Sequence, residues 1–520
     1  MPAARPSRWW TLLLALVGGL AARVAFPGPG LWPGAFVGIA LLYLALRRDS
    51  ARWNALVGLV WGLAFYPALL TWADEAVGPV PWLMLSLACA AYVALFGAAW
   101  TWARRGEAVW RSPWWQVPVF VVIWVALEEA LSFWPFGGFP WGRLAFSQSE
   151  SPLLGFAALG GVPLLSAVVC AVGVLLGRAL VELRHARLLT ASGSGLAAVA
   201  LVLAGFAVSL PTGAQSGTLK VGAVQGNVPG HGLDAFGRRA VVLDNHVRGT
   251  HALLDHVEPG ELDLVLWPEN GTDIDPQVDD QAAAAIDEAA ETVGAPMLVG
   301  TVEYPDEGGR YNTSVLWQPG QGVVASYSKR HPAPFAEYIP LRSVARVFSS
   351  AVDRVTRDML PGEGDGLVPL ESERLGRTVG IADVICFEVA YDELVRSAVR
   401  AGGEILVVQT NNATFGMSDE STQQLAMSRI RAVEHGRATV QISTVGVSGV
   451  IQPNGALTQS TELFTADQII ASLPLRTSQT WATRLGAWPA WGIDALAVCA
   501  VVFGAVGAVR LRGTNRGEPA

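Results

Sequence analysis

The chain has 520 residues, of which 51% are hydrophobic and 15% charged, with a formal net charge of −8. That balance excludes an ordinary soluble multidomain protein and favours one with a large membrane-embedded part. The basic residues are scattered through short loops and form no stripe able to neutralise a run of phosphates, so nucleic acid is not expected as a partner.

A helix crossing the hydrocarbon needs roughly 20 apolar residues. Seven apolar stretches come first, at about 9–26, 31–46, 55–72, 80–102, 117–134, 153–176 and 194–210, and an eighth at about 488–509 follows a long polar middle. The expected division is a transmembrane bundle of about seven helices over 1–214, a folded domain over 215–485, and a final transmembrane helix with its tail over 486–520. Loop charges give the orientation, because positive residues accumulate on the cytoplasmic side of short loops. Arg5 and Arg8 precede the first stretch; Arg47, Arg48 and Arg52 follow the second; Arg104, Arg105 and Arg111 follow the fourth. Arg178, Arg184 and Arg187 follow the sixth, and Arg510, Arg512 and Arg516 the last. The intervening loops at 27–30 and 74–79 have no basic residue, and the one at 136–150 has only Arg143. Both termini are expected in the cytoplasm and the polar domain on the opposite side. The first stretch resembles a signal peptide, but further spans follow it at once, so it reads as an anchor.

Charge inside a span is costly unless it faces a cavity or reaches an interface. Arg23 reads as interfacial, whereas the pair Glu128 and Glu129 admits either explanation. Trp9, Trp10, Trp114, Trp115, Trp134 and Trp141 cluster at span ends, as interfacial anchors do, and need no catalytic role.

From about Leu219 the pattern changes to short β-rich runs alternating with helical stretches. Strands are expected at 220–225, 263–267, 297–303, 313–317, 323–328, 378–385, 405–410, 439–444 and 448–452, and helices at 238–256, 277–293, 391–401 and 422–436. Hairpin turns fit 319–322 and 453–455. An α/β sandwich of sheets flanked by helices follows. His231, His246, His251 and His256 are spaced as a metal site could be, but a solvated face explains them better, and no metal or other cofactor is assigned.

Cys89, Cys170 and Cys499 lie in apolar stretches, so Cys386 stands alone in the polar domain and no disulfide framework is available there. Arginine is used nearly everywhere for positive charge, which makes Lys220 and Lys329 conspicuous. Glu269, Lys329 and Cys386 each fall where a strand ends, the usual place for chemistry in α/β folds. Pro268 stops the first of these strands just before Glu269, and a proline-broken loop follows Lys329. The strand ending at Cys386 turns into a helix, whose N-terminal partial charge is expected to favour the thiolate. Each residue alone has an ordinary structural explanation. Together they offer a nucleophile, a base and a cation.

The segments Trp267-Pro-Glu-Asn270, Tyr327-Ser-Lys-Arg-His331 with Pro334-Phe-Ala-Glu-Tyr338, and Ile385-Cys-Phe-Glu388 resemble the three motifs of the nitrilase superfamily. With the flanking spans, the whole chain resembles its membrane-integrated branch, the apolipoprotein N-acyltransferases. The resemblance implies a multi-span α-helical bundle carrying an extracytoplasmic nitrilase-like α-β-β-α sandwich, in the inner (plasma) membrane. It makes Glu269 the general base, Lys329 the oxyanion-stabilising cation and Cys386 the nucleophile, with Glu337 and Glu388 at further acidic positions. Phe387 stands where relatives often carry tyrosine, so a hydroxyl contact is absent. The stretch Thr410-Asn-Asn-Ala-Thr-Phe-Gly416 resembles one that often has tryptophan at the position of Thr414, which bears on acyl-donor preference; Asn412, Thr414 and Phe415 are expected near the substrate.

The reaction so implied moves an acyl chain from a phospholipid to the Cys386 thiol, then to the α-amine of a diacylglyceryl-cysteine at the N-terminus of a diacylated apolipoprotein. Water must be kept from the thioester, and the apolar loop at 335–348 is the expected lid. The partners implied are phospholipid, apolipoprotein and the bilayer, and a monomer is expected. The same triad would also serve a membrane-tethered amidase hydrolysing a small amide, although seven spans exceed what a tether requires. A transporter or sensor would have no use for the triad, and a Cys-His protease built on His331 lacks an evident orienting partner.

Overall fold

The computed structural model describes residues 7–228, 240–272, 274–306 and 308–514. The first part is helical: α1 (Arg8–Val24), α2 (Gly34–Ala45), α3 (Ala51–Leu69), α4 (Thr71–Val77), α5 (Pro79–Ala103), the short α6 (Glu107–Arg111), α7 (Gln116–Phe133), α8 (Phe156–Arg184) and α9 (Leu188–Phe206). All the expected apolar stretches are helical here, but they are not equal spans. Among the described residues five helices are long and apolar enough to cross a membrane, and a sixth counts if α3 and α4, bent by 58°, form one broken span. The helix α1 has 17 residues and α2 has 12, and a 12-residue helix covers only about 18 Å of a hydrocarbon layer roughly 30 Å thick. Prolines and glycines between Pro27 and Gly34 use up the missing length. The helices α3 and α5 meet through glycine: a Cβ at Gly58 would stand 2.1 Å from the Val93 carbonyl oxygen, and one at Gly97 2.1 Å from that of Asn54. Small residues that let backbones approach are a main source of helix association in lipid.

The polar domain follows as β1 (Thr218–Gln225), α10 (Val241–Ala252), β2 (Leu264–Leu266), α11 (Asp280–Val293), β3 (Met297–Glu303), β4 (Tyr311–Gln318), β5 (Gly322–Ser328), α12 (Arg342–Phe348), β6 (Leu367–Ser372), β7 (Arg377–Ile385), α13 (Asp392–Arg400), β8 (Ile405–Thr410), α14 (Glu420–His435), β9 (Thr439–Ser443), β10 (Gly449–Ile451), β11 (Leu457–Ser460) and β12 (Asp467–Pro474). Then α15 (Trp481–Leu485) leads into α16 (Trp488–Thr514), which packs beside α5 and α7. Among the described residues two six-stranded sheets form, ordered β12-β1-β2-β3-β4-β5 and β11-β10-β9-β8-β7-β6. Their inner faces share one core, in which Val221, Leu264 and Leu298 meet Val379, Ile381, Ile405 and Val440. Outside the first sheet, Leu243 of α10 and Ile286, Ala289 and Val293 of α11 cover Val265 and Val299. Outside the second lie α13 and α14, and α14 also packs on α8, so it is held between sheet and bundle. The layer order is the expected α-β-β-α.

Three strands were not anticipated. The strand β6 contains Pro369 and sits at a sheet edge, where a missing N–H is tolerated. The strand β11 is a wholly exposed polar edge, and β12 pairs antiparallel with β1 from far along the chain. The start of the helix expected at 238–256 lies outside the described residues, as does His231. His246 corrects the expectation of a solvated face. It is buried, with Nδ1 2.8 Å from the Val242 carbonyl oxygen and its ring against Trp267. Burial lowers its pKa to about 4.

Candidate active site

The parallel pairs β1–β2–β3 and β7–β8–β9 send their C-terminal ends to the same edge of the sandwich, and the chain leaves each one in a turn that carries polar groups. Glu269, Lys329 and Cys386 all belong to this edge and are all buried. Lys329 Nζ lies 2.7 Å from Glu337 Oε1 and 3.4 Å from Glu269 Oε1. Glu269 also accepts the Asn312 Nδ2–H at 2.6 Å and the backbone N–H of Asn411 at 2.8 Å. The Cys386 thiol lies close enough to feel the charges of both Glu269 and Lys329. The second oxygen of Glu337 accepts the Ala333 N–H at 2.6 Å, which fixes the loop after β5.

These groups perturb one another's ionisation as low-dielectric neighbours must. Burial pushes the Glu269 carboxyl up, partly opposed by Lys329. Burial works against the Lys329 ammonium, yet Glu337 and Glu269 hold its pKa well above the ordinary value. The expectation of a thiolate favoured by a helix N-terminus is not met. Cys386 opens a 3-10 turn of 5 residues ahead of α13, and burial together with the Glu269 charge pushes its thiol well above the ordinary range, with Lys329 opposing. A thiol in this setting rests protonated, so using it as a nucleophile would need a base alongside.

Cys386 has φ of +55°, a left-handed conformation rare for a side-chain-bearing residue. Buried partners hold the turn there. Glu388 accepts the N–H groups of Ile385 (2.9 Å), Arg330 (2.7 Å) and His331 (3.2 Å) and the Tyr327 hydroxyl (2.9 Å). It thus organises both loops flanking the site. Arg431 donates to the carbonyl oxygens of Val389 and Ala390, each at 2.8 Å.

The bundle supplies the opposite wall. Phe387 is stacked on Trp141 with centroids 4.7 Å apart and lies 5.7 Å from Phe139, and Phe415 meets the edge of Trp72 at 5.2 Å. Trp141 Nε1–H donates to Gln423 Oε1 at 2.6 Å. Trp141 is therefore not an interfacial anchor: it is fully buried beside the cysteine turn, whereas Trp9, Trp115 and Trp134 are exposed. The bend after α3 brings Trp72 to the same place. Phe387 thus sits within an all-aromatic stack. Asn412 donates to Glu420 Oε2 at 2.6 Å and Gln424 Oε1 at 2.9 Å, behind the site, and Thr414 is half-buried. Asn312, Glu420, Gln424, Trp72 and Trp141 belong to this region without any motif to announce them, and Thr410 joins them from the start of the 410–416 stretch. The spacing of Glu420 and Gln424, four apart in a helical stretch and so on one face, was the available signal.

Residues 18–175 match the family model described as apolipoprotein N-acyltransferase N-terminal domain, and residues 242–483 match that described as carbon-nitrogen hydrolase. An apolipoprotein N-acyltransferase of Mycolicibacterium smegmatis is 37% identical over 507 residues, covering 91% of this chain and 82% of that protein. One of Azotobacter vinelandii is 32% identical over 510 residues, covering 94% of each. Among solved structures, an amidase from Nesterenkonia of the nitrilase superfamily is 20% identical, covering 50% of this chain and 92% of its own, with a TM-score of 0.37. With both family models in place along a chain that matches such relatives nearly end to end, the protein belongs to the apolipoprotein N-acyltransferase family of the nitrilase superfamily.

Proposed function

We propose that the chain performs its family's acyl transfer with Cys386 as nucleophile, Glu269 as base and Lys329 as the cation at the developing oxyanion. The observation that carries this reading is the meeting of the three buried groups at one sheet edge, against aromatic rings from the membrane bundle. In the first step Glu269 takes the thiol proton, the sulfur bonds to the acyl carbon of a phospholipid, and the ester C–O bond breaks. The alkoxide recovers its proton from Glu269 and leaves as lysophospholipid. In the second, the α-amine of the diacylglyceryl-cysteine bonds to the thioester carbon, gives its proton to Glu269, and displaces the sulfur as thiolate, which then takes that proton from Glu269. Lys329, with a backbone N–H near Phe387, balances the oxyanion in both steps. Because the ammonium is held charged by Glu337 as well as Glu269, it keeps its charge when Glu269 is protonated.

The aromatic wall suits a substrate entering from lipid and keeps water from the thioester. The α12 segment suits a mobile cover: none of its residues is buried, and Val344, Val347 and Phe348 are exposed apolar side chains. The basic residues of alternate loops support a polar domain outside the cytoplasm, where the lipid-modified N-termini would be met, and a monomer suffices for the site. The test is incubation with phospholipid vesicles followed by mass analysis of the Cys386 peptide. A fatty acyl adduct that Cys386→Ala abolishes and that an amine-bearing lipopeptide discharges is expected. Rapid hydrolysis of short amides with no lipid adduct would instead favour the amidase reading.

A further inference from the structure

Behind the sulfur lies a set of buried polar side chains from β8 and α14 that this chemistry leaves unused. Thr410 ends β8, and its Oγ1 lies 3.3 Å from Cys386 Sγ and 2.9 Å from Gln424 Oε1. A hydroxyl has one proton, so it can serve only one of these acceptors at a time.

Neighbours decide which atom Gln424 presents. Ser443 Oγ accepts the Gly446 N–H at 2.8 Å, which leaves its own proton for Asn412 Oδ1 at 2.6 Å. Asn412 is thereby turned with Nδ2 toward Glu420 Oε2 at 2.6 Å and Gln424 at 2.9 Å. Facing an N–H donor, Gln424 must offer its carbonyl oxygen. Because Asn412 already satisfies that oxygen, Thr410 can turn away from it without leaving a buried acceptor unpaired.

We propose that Thr410 is a switching donor to the nucleophile, its hydroxyl bonded to Gln424 while the sulfur is thiol or thioester and to Cys386 Sγ while the sulfur is anionic. This rests on the reading of Cys386 as nucleophile. Sulfur carries charge twice in the cycle: when Glu269 has taken the thiol proton, and when the amine has displaced the C–S bond and left its electron pair on sulfur. A thiolate this buried has little solvation of its own, so one O–H turned toward it changes its stability measurably. The Thr410 contact indeed opposes the upward push of burial on the thiol.

The test uses the full chain in detergent micelles and follows alkylation of Cys386 by iodoacetamide against pH, read on the Cys386 peptide by mass. Thr410→Val keeps the shape and removes the hydroxyl. Its midpoint should move to higher pH, with alkylation about tenfold slower at a fixed pH below it, and Thr410→Ser should restore the native profile. Gln424→Leu removes the competing acceptor and should move the midpoint the other way, a pairing of opposite shifts that general loosening of the site does not produce. A Thr410→Val profile superimposable on the native one overturns the proposal. So does a Gln424→Leu midpoint that is unmoved or higher, and this variant decides the matter if Thr410→Val does not fold. Iodoacetamide reports on the thiol alone. An unshifted profile beside a normal lipid adduct therefore refutes only the switch, whereas shifted profiles with no lipid adduct refute only the acyl-transfer reading.

Discussion

Lys329 shows how much a single side chain can be asked to do in a dry site. It is 1% exposed and lies between two carboxylates, so its removal leaves two negative groups facing each other without a cation. Lys329→Met should slow formation of the acyl adduct on Cys386 by about 10²–10³-fold, the usual cost of losing an oxyanion partner. Lys329→Arg should not rescue it, because a planar fork does not replace a point charge in a closed space. Quench-flow sampling with mass detection measures both, and an adduct forming at the native rate in Lys329→Met would remove the lysine from the chemistry. The other lysine of the domain marks the contrast: Lys220 pairs with Glu261 at the surface. Scarcity of lysine drew attention to both positions, and burial separates them.

At the scale of elements, β7 is built for a purpose other than maximal stability. It delivers Cys386 at its end, and it buries Asp383 between the sheets, where desolvation raises the carboxyl from 3.8 to about 7. The folded state therefore holds a proton that the unfolded chain has lost between about pH 4 and pH 7. With the folded value raised, the stabilising contribution is complete below the unfolded value and disappears as pH rises through about 7. Asp383→Asn should abolish this dependence. Its unfolding midpoint should exceed that of the native protein at pH 8 and the difference should shrink toward pH 5, as thermal melts followed by intrinsic fluorescence would register. Equal differences at both pH values would mean that the carboxyl is ionised in the fold. The strand itself was evident from its apolar run, but the burial of Asp383 between sheets depends on which strand of the other sheet lies opposite.

At the scale of the molecule, the bundle and the catalytic domain are joined by buried charge. Arg143, in the loop after α7, pairs with Glu129 of the bundle and with Asp392 of the domain at 3.0 Å, and Asp392 also meets Arg431 at 2.8 Å. Despite burial, Arg143 and Arg431 hold the Asp392 carboxyl well below its usual range. Arg23 bridges to Asp419 at 2.6 Å on another part of the same contact. Because Arg431 also grips the carbonyls after Cys386, this network ties the membrane part to the cysteine turn. Arg143→Met leaves the buried Glu129 without its cation and Asp392 with Arg431 alone, and should cost roughly 3–5 kcal/mol. Breaking the more exposed pair Arg429–Glu150 should cost at most about 1 kcal/mol. Denaturant titration of the two variants in micelles compares them, and equal losses would contradict the network. The ambiguity of Glu128 and Glu129 is resolved here: Glu129 faces Arg143, and Glu128 accepts the Leu144 N–H at 2.8 Å and the Trp124 indole N–H at 2.8 Å.

What the sequence determined by itself is what local chemistry determines. Apolar runs made helices, alternating and β-branched runs made strands, and Pro268 and the turn at Cys386 set polar residues at strand ends, so Glu269, Lys329 and Cys386 were legible with the fold class. Tertiary structure decided the rest, because those outcomes depend on what comes to lie opposite. The polar wall of Thr410, Gln424 and Glu420 exists only once α14 packs across the end of β8. Trp141 and Trp72 became part of the site because loops of the bundle fold over the catalytic domain, and the thiol stays protonated because that same packing removes water from it.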